Sequence, residues 1–178
     1  MHIPPGRIAA ALAIAAAACA AAVAPLPASA LRIASHATAA CQSALPVFDT
    51  QIRKRPLAVQ NEGDSNAFVT CSMVNPAATS GINRISSATI HLQNVRSGTR
   101  SISCTAVNSM AAPDPGTPLY LTKTVSVPRD AEGSTALEFS SAEFPGSPLL
   151  LPGDSLSVSC QLQPGTGVTS TVLFNNAN

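Results

Sequence analysis

The sequence predicts an all-β protein, an antiparallel β-sandwich of about eight short strands that follows a cleaved signal peptide. Three observations predict it. Apolar and polar residues alternate in most segments after residue 50, breaks rich in Gly and Pro separate these segments, and four widely spaced cysteines follow an apolar N-terminal stretch. Alternation with a period of two is typical of a strand with one buried side. The 15 prolines disfavour a helical architecture.

Residues 1–30 have the features of a signal peptide. Arg7 supplies a weakly basic start, residues 8–23 an apolar run, and Ala28-Ser29-Ala30 an A-x-A cleavage site. A spanning helix needs about 20 strongly apolar residues, whereas this run is mostly Ala. An alternative is a lipoprotein in which Cys19 is acylated and anchors the chain. We expect a secreted or periplasmic mature protein with no membrane span.

The rest of the chain is predicted to hold one domain. Residues 31–50 form an N-terminal segment without clear periodicity, and residues 51–178 form the single β-sandwich domain. The segment "SLSVSCQLQ" shows the alternation most clearly, because Leu156, Val158, Cys160 and Leu162 share one face. The predicted strands cover residues 56–61, 67–74, 88–95, 101–107, 118–127, 135–141, 155–163 and 169–176.

The four remaining cysteines are predicted to form two disulfide bonds. An even number of cysteines in an exported chain indicates disulfides, and a zinc site would need closely spaced pairs. Three pairings are possible, and we expect Cys41–Cys71 with Cys104–Cys160. The alternation turns Cys71, Cys104 and Cys160 inward, where a bridge can staple the core.

Lys123 disturbs the pattern of its strand, because it falls on the apolar face of Leu119, Leu121, Val125 and Val127. One explanation is a bulge that shifts the register. The other, which we favour, is an edge strand that carries an inward lysine against aggregation.

Charge and motifs exclude several classes of function. Only 11% of residues are charged, and the 10 Lys and Arg include Arg7, so the mature chain is formally neutral against 9 Asp and Glu. A neutral protein has no electrostatic attraction for nucleic acid. No cofactor motif is present, and no cofactor or metal is expected. "NEGDSN" at 61–66 is interpreted as a turn rather than as a calcium loop.

"GDSL" at 153–156 resembles the nucleophile block of GDSL-type esterases, which would make Ser155 the nucleophile. Those enzymes carry the block near the mature N-terminus and supply Asp and His near the C-terminus, but no His follows it here. His91 is predicted to point to solvent. We therefore interpret the string as a turn that leads into a strand, and expect no catalytic residues.

The densest cluster of charge is Arg53, Lys54 and Arg55. Pro56 favours extended backbone before it, so a solvated start of a strand is the favoured interpretation. The alternative is a contact patch for an acidic partner, which nearby Glu62 and Asp64 would oppose.

"CQSALPVF" (41–48), "RKRPLAVQNEG" (53–63) and "AFVTCS" (67–72), in that order, resemble a group of small exported bacterial proteins without assigned function. The resemblance covers about a third of the mature chain. It implies export and a disulfide-bearing β domain, and it brings no catalytic residues.

Three hypotheses for function follow. The first is an exported non-enzymatic β-sandwich with a structural, adhesive or protein-binding role, and a possible protein partner, at the cell envelope or outside it. The second is a pilin-like subunit assembled by strand complementation. The third, which the histidine pattern disfavours, is a small serine esterase that uses Ser155.

Overall fold

A computed structural model describes residues 31–75, 84–108, 118–129, 135–146 and 155–176. Strands dominate these ranges and form two antiparallel sheets packed face to face. The strands are β1 (Leu31–His36), β2 (Cys41–Ser43), β3 (Ile52–Arg55), β4 (Ala58–Asn61), β5 (Ala67–Val74), β6 (Arg84–Asn94), β7 (Arg100–Asn108), β8 (Leu119–Val127), β9 (Thr135–Ser140), β10 (Ser155–Leu162) and β11 (Thr166–Asn176). A single helical turn, α1 (Ala37–Ala40), and two 3-10 turns, Pro46–Phe48 and Ser141–Glu143, complete the described elements.

The six-stranded sheet has the order β3-β4-β11-β6-β9, and β1 also pairs with β11. Strands β1 and β4 lie along the same edge of β11, β1 beside residues 170–175 and β4 beside residues 167–168. Strand β6 occupies the other edge of β11. The C-terminal strand is therefore central and paired on both sides within the chain, which gives no support to strand complementation at β11.

The five-stranded sheet has the order β2-β5-β10-β7-β8. Each neighbouring pair is antiparallel and in continuous register. In β7 and β10 every second residue is buried, as expected for strands with one face on the core. Both outer faces of the sandwich point away from the core, so each is available to present side chains.

The core between the sheets is mainly aliphatic. Its largest fully buried side chains include two phenylalanines, Phe139 and Phe144, and a set of Ile and Leu residues: Ile85, Ile90, Leu92, Ile102, Leu156, Leu162 and Leu173. Burying each such side chain contributes about 1.5–3 kcal/mol. These inward positions coincide with the apolar positions of the alternating pattern, so the same pattern that predicts the strands also builds the core.

The predicted fold class is confirmed. Each of the eight predicted strands corresponds to an observed one, from β4 to β11. The difference lies at the N-terminal end, where residues 31–50 supply β1 to the six-stranded sheet and β2 to the five-stranded sheet, and β3 follows directly. The chain thus contributes to both sheets from residue 31 onward. The predicted signal peptide and Cys19 lie outside the described residues.

Both predicted disulfides, Cys41–Cys71 and Cys104–Cys160, are present. The cysteines of each bridge are direct cross-strand partners, in β2 and β5 for the first and in β7 and β10 for the second. All four are at most 2% exposed and point into the core. The bridges therefore cross-link neighbouring strands of one sheet, rather than joining the two sheets to each other.

Strand β8 is an edge strand with an inward lysine, as predicted. Lys123 Nζ lies between the two sheets, where it donates hydrogen bonds to the Glu138 carbonyl oxygen (2.7 Å) and to Glu143 Oε2 (2.7 Å). The same ammonium group lies 5.8 Å from the centroid of the Phe139 ring. Glu138 belongs to β9, an edge strand of the opposite sheet, and Glu143 belongs to the 3-10 turn that follows β9. Lys123 therefore connects the edge strand β8 of one sheet to the edge strand β9 of the other.

Candidate binding surface

Ser155 is the first residue of β10 and pairs with Val74. Its position in the strand sequence, two residues before Ser157, places it on the outer face of the five-stranded sheet. The two histidines in the described ranges, His36 and His91, belong to the six-stranded sheet. Within the described part of the chain, Ser155 and the histidines therefore lie on different sheets. The rest of the turn at 153–154 lies outside the described residues.

The basic residues Arg53, Lys54 and Arg55 form most of β3 and are exposed. Each is held by a different neighbour. Arg53 donates to the Asp49 carbonyl oxygen (2.8 Å), Lys54 donates to the Thr38 carbonyl oxygen (3.0 Å), and Arg55 makes two hydrogen bonds of 2.6 Å to the Glu62 carboxylate. The hydrogen bond from Arg55 is the main cause that lowers the pKa of Glu62 and raises the pKa of Arg55.

The turn "NEGDSN" is built around the side chain of Asn61, which is fully buried. Its Oδ1 accepts the Gly63 N–H (3.0 Å), and its Nδ2 donates to the carbonyl oxygens of Ser65 (2.8 Å) and Leu162 (2.9 Å). The side-chain amide of Asn61 therefore fixes the conformation of the loop. In the described ranges, no three His, Cys, Asp or Glu side chains are grouped so that they could hold a metal ion.

Among the described residues, none that faces outward from the five-stranded sheet is charged. Strand register places the outward residues in continuous rows, and most of them are Ser or Thr. We call this surface the uncharged face; it comprises Gln42, Phe68, Thr70, Ser72, Val74, Ser101, Ser103, Thr105, Val107, Tyr120, Thr122, Thr124, Ser126, Ser155, Ser157, Ser159 and Gln161. Every one of these side chains is exposed or half-buried. At about 4.8 Å between strands, the face is about 19 Å wide.

The middle row of the uncharged face crosses all five strands. It contains, in spatial order, Gln42, Thr70, Ser159, Thr105 and Thr122. The two threonines at its end share a hydrogen bond of 2.8 Å between their hydroxyls, and Thr70 donates to Ser159 Oγ at 3.4 Å. The hydroxyl array is therefore partly ordered by its own hydrogen bonds.

Apolar side chains lie at two borders of the uncharged face. Tyr120, on the edge strand β8, is 56% exposed and pairs directly with Val107. At the opposite side, Phe68 contacts Phe48 of the 3-10 turn with ring centroids 5.8 Å apart. Phe68 is thus partly engaged by its own chain, whereas the ring of Tyr120 is open to solvent, as its outward alternation predicts.

The outer face of the six-stranded sheet has a different character. Among the side chains that the structure describes, register places four charged residues on it, which are Arg32, Arg53, Arg55 and Glu138. His36 and His91 lie on either side of Ser170 in one row across β1, β11 and β6. A shallow cavity of about 180 Å³ opens there, lined by Ala34, Ser35, His36 and Ser170. The two outer faces of one sandwich therefore differ in charge, although both are made of alternating strands.

The uncharged face was not identified from the sequence, although all of its residues except Gln42 alternate outward in predicted strands. The missing information was the strand order. Residues 42, 70, 105, 122 and 159 are far apart in the chain and form one row only because β10 lies between β5 and β7. A search of the predicted strands for outward positions without charge would have found the residues of β5, β7, β8 and β10, but it could not have placed these strands side by side.

No family model matches the chain, and no curated protein matches it. Among solved structures, it is similar to a CBM35 from Cellvibrio japonicus Abf62, with a TM-score of 0.45 and 14% identity over 84% of this chain and 99% of that one. It is similar to a family 11 carbohydrate-binding module from Clostridium thermocellum, with a TM-score of 0.37 and 8% identity over 86% and 89%. An exo-β-1,3-galactanase from Phanerochaete chrysosporium gives a TM-score of 0.45 and 13% identity over 80% of this chain, which spans 29% of that enzyme.

These similarities concern the β-sandwich architecture and transfer no functional residue. In the described ranges, no helix has the length and hydropathy that a membrane crossing requires.

Proposed function

We propose that the protein is an exported, non-enzymatic β-sandwich that binds an uncharged partner at the cell envelope or outside it, through the uncharged face. The observation that carries the proposal is that no described residue of these five strands places a charge on this face, whereas Arg32, Arg53, Arg55 and Glu138 lie on the outer face of the other sheet. A charged partner would lose hydration at the uncharged face without gaining an ion pair. An uncharged, hydrogen-bonding partner loses less and finds many donors and acceptors.

Export and oxidation support the setting of this proposal. Two disulfides with their sulfurs in the core are typical of proteins from oxidising compartments. The alanine-rich N-terminal run with its A-x-A site is consistent with the same route. Cell fractionation followed by intact mass measurement, with and without reduction, would report the compartment, the processed N-terminus and the number of bridges together.

Binding to isolated cell envelopes tests the proposal directly. The informative variant is Ser159→Lys, which places a charge in the middle row of the uncharged face. Its matched control is Ser170→Lys, since Ser170 is also a half-buried outward serine on a strand paired on both sides, but in the six-stranded sheet. We expect the wild type and the control to sediment with envelopes and the Ser159 variant to be released at least tenfold more readily.

Two results would count against the proposal. If the wild-type protein does not sediment with envelopes and retains no partner from culture medium, the binding role is wrong. If Ser170→Lys abolishes sedimentation and Ser159→Lys does not, the wrong face has been assigned. A triple Arg53→Ala, Lys54→Ala, Arg55→Ala variant tests the acidic-partner hypothesis in the same assay, and we expect it to bind like the wild type.

A further inference from the structure

The chemistry of the uncharged face restricts the class of partner more narrowly than its lack of charge does. Serine and threonine hydroxyls each donate one hydrogen bond and accept two. An array of such groups can match a partner whose surface also donates and accepts at closely spaced positions. The short side chains lose little rotamer entropy when they are fixed, and the Thr105–Thr122 hydrogen bond already orders part of the array.

A protein partner fits this surface poorly. The central residues of protein interfaces are typically aromatic side chains, Met or Arg that fill pockets. The centre of the uncharged face instead holds Ser157, Ser159 and Thr105, and the larger side chains lie at its borders. A lipid surface also fits poorly, because membranes attract basic residues or insert contiguous apolar ones.

Tyr120 adds the second element of the argument. Its ring is 56% exposed at one border of the face, beside Val107, and Thr122 follows two residues along the same strand. An exposed aromatic plane with an adjacent hydrogen-bonding row suits a ligand that has both an apolar face and a rim of hydroxyls. A neutral sugar ring is such a ligand: its axial C–H groups form an apolar face, and its hydroxyls lie around the edge.

We infer that the uncharged face binds a neutral polysaccharide chain, with one sugar ring stacked on Tyr120 and the following units hydrogen-bonded along the row through Thr122, Thr105 and Ser159. The inference rests on the proposed function and names the class of its ligand. The lack of charge on both surfaces selects this class of ligand. Uronic acids, sulfated glycans and phosphate-bearing polymers would bring anions to a face on which the described residues place no cation.

Affinity electrophoresis in native gels tests the inference with the mature, disulfide-intact protein. The probes are four neutral soluble polysaccharides, a glucan, a galactan, a mannan and a xylan, and two acidic ones, polygalacturonate and alginate. We expect at least one neutral polymer to retard the protein and neither acidic polymer to do so. Tyr120→Ala should weaken the retardation at least fivefold, and Thr105→Val with Thr122→Val should weaken it while keeping the shape of the row.

Matched substitutions on the other outer face, His91→Ala and Ser170→Ala, should leave retardation unchanged. Far-ultraviolet circular dichroism and thiol titration of each variant verify that the fold and both bridges are intact. Retardation by acidic polymers that equals or exceeds that by neutral ones would overturn the inference, and so would unchanged binding of Tyr120→Ala.

The failure of this inference is distinguishable from the failure of the proposed function. If envelopes retain the protein but no neutral polymer does, and protease treatment of the envelopes abolishes retention, the ligand class is wrong and the binding role stands. If envelopes do not retain the protein either, the proposed function fails together with the inference.

Discussion

Asn61 and Asn94 make the same three hydrogen bonds at the same end of the sandwich. Each is the last residue of its strand and fully buried. Each accepts the N–H two residues ahead, of Gly63 or of Arg96, and donates to the carbonyl oxygen four residues ahead. Each also donates to the last residue of a strand in the opposite sheet, Leu162 for Asn61 and Val127 for Asn94. The same set of asparagine hydrogen bonds therefore fixes two loops and connects the two sheets.

The first prediction is that Asn61→Ala and Asn94→Ala each lower the free energy of unfolding by about 2–3 kcal/mol. Removal of the amide leaves buried carbonyl oxygens and one N–H without their partner, and each unmatched group costs about 1–3 kcal/mol. Urea denaturation followed by circular dichroism measures the change. Asn66→Ala, at an exposed position in the same loop as Asn61, is the control and should change stability by less than about 0.5 kcal/mol. Losses below about 1 kcal/mol at both buried sites would contradict the role.

The second prediction concerns the two disulfides, which close loops of different length. The sequence separation is 30 for Cys41–Cys71 and 56 for Cys104–Cys160. From the entropy of loop closure, we expect losses of about 3.6 and about 4.2 kcal/mol when each pair is replaced by Ala. The second bridge also joins strands in the interior of its sheet, whereas the first holds the three-residue edge strand β2. Denaturation of both double variants should therefore rank the Cys104–Cys160 variant as less stable, and the reverse ranking would contradict this account.

Much of this fold could be predicted from the sequence, because its strands bury one face only. Where at least three alternate positions are apolar, as in β5, β7 and β10, the period of two is unmistakable. The alternating pattern does not reveal a strand that buries too few apolar side chains. In β3 only Ile52 is buried, β2 has three residues, and β1 is mostly exposed. Strand β3 is specified by its pairing with β4, β2 by its pairing with β5, and β1 by its pairing with β11. Such pairing leaves no periodic signal in the sequence of a single segment.

The candidate site could be predicted in part. Its outward residues, Tyr120 among them, follow from the alternation. Three properties depended on the order of strands in space: the row through Thr105 and Ser159, the difference in charge between the two outer faces, and the position of the inward Lys123 opposite Glu143. The inward lysine could be assigned to an edge strand because charge is tolerated there, but its partner belongs to a 3-10 turn 20 residues further along the chain.

The third prediction concerns the pH dependence of the contact between Lys123 and Glu143. The hydrogen bond from Lys123, and then that from the Ser140 N–H, hold the pKa of Glu143 below that of an ordinary glutamate. A carboxyl whose pKa is depressed in the folded state stabilises the fold above the unfolded pKa of about 4.3, and this stabilisation is lost as the pH falls through the folded value. The Glu143 side chain is 44% exposed, so solvent screening keeps the contribution below about 1 kcal/mol.

Comparison of wild type with Glu143→Gln in urea denaturation between pH 7 and pH 3 measures this term. The difference in unfolding free energy should be constant from pH 7 to about pH 5 and shrink below it. In a Lys123→Met background, the same Glu143 substitution should give a smaller pH-dependent difference, because the largest cause of the lowered pKa is gone. A difference that grows toward acid pH would have the wrong sign and contradict the assignment.

The fourth prediction is that Lys123→Met promotes self-association through β8. This edge strand has nine residues and pairs only with β7 in the described part of the chain, so the backbone groups on its free side can template another strand. The inward ammonium group of Lys123 opposes such pairing. When another strand covers this edge, the ammonium group must either give up its hydrogen bonds to the Glu138 carbonyl oxygen and Glu143 or lose its contact with water. Sedimentation velocity over a concentration series should detect dimers or larger species for this variant at concentrations where the wild type is monodisperse.

Lys54→Met on β3, an edge strand of only four residues, is the control and should remain like the wild type, because a short edge offers few backbone groups for pairing. Equal behaviour of the two variants would show that the inward lysine of β8 has no protective role.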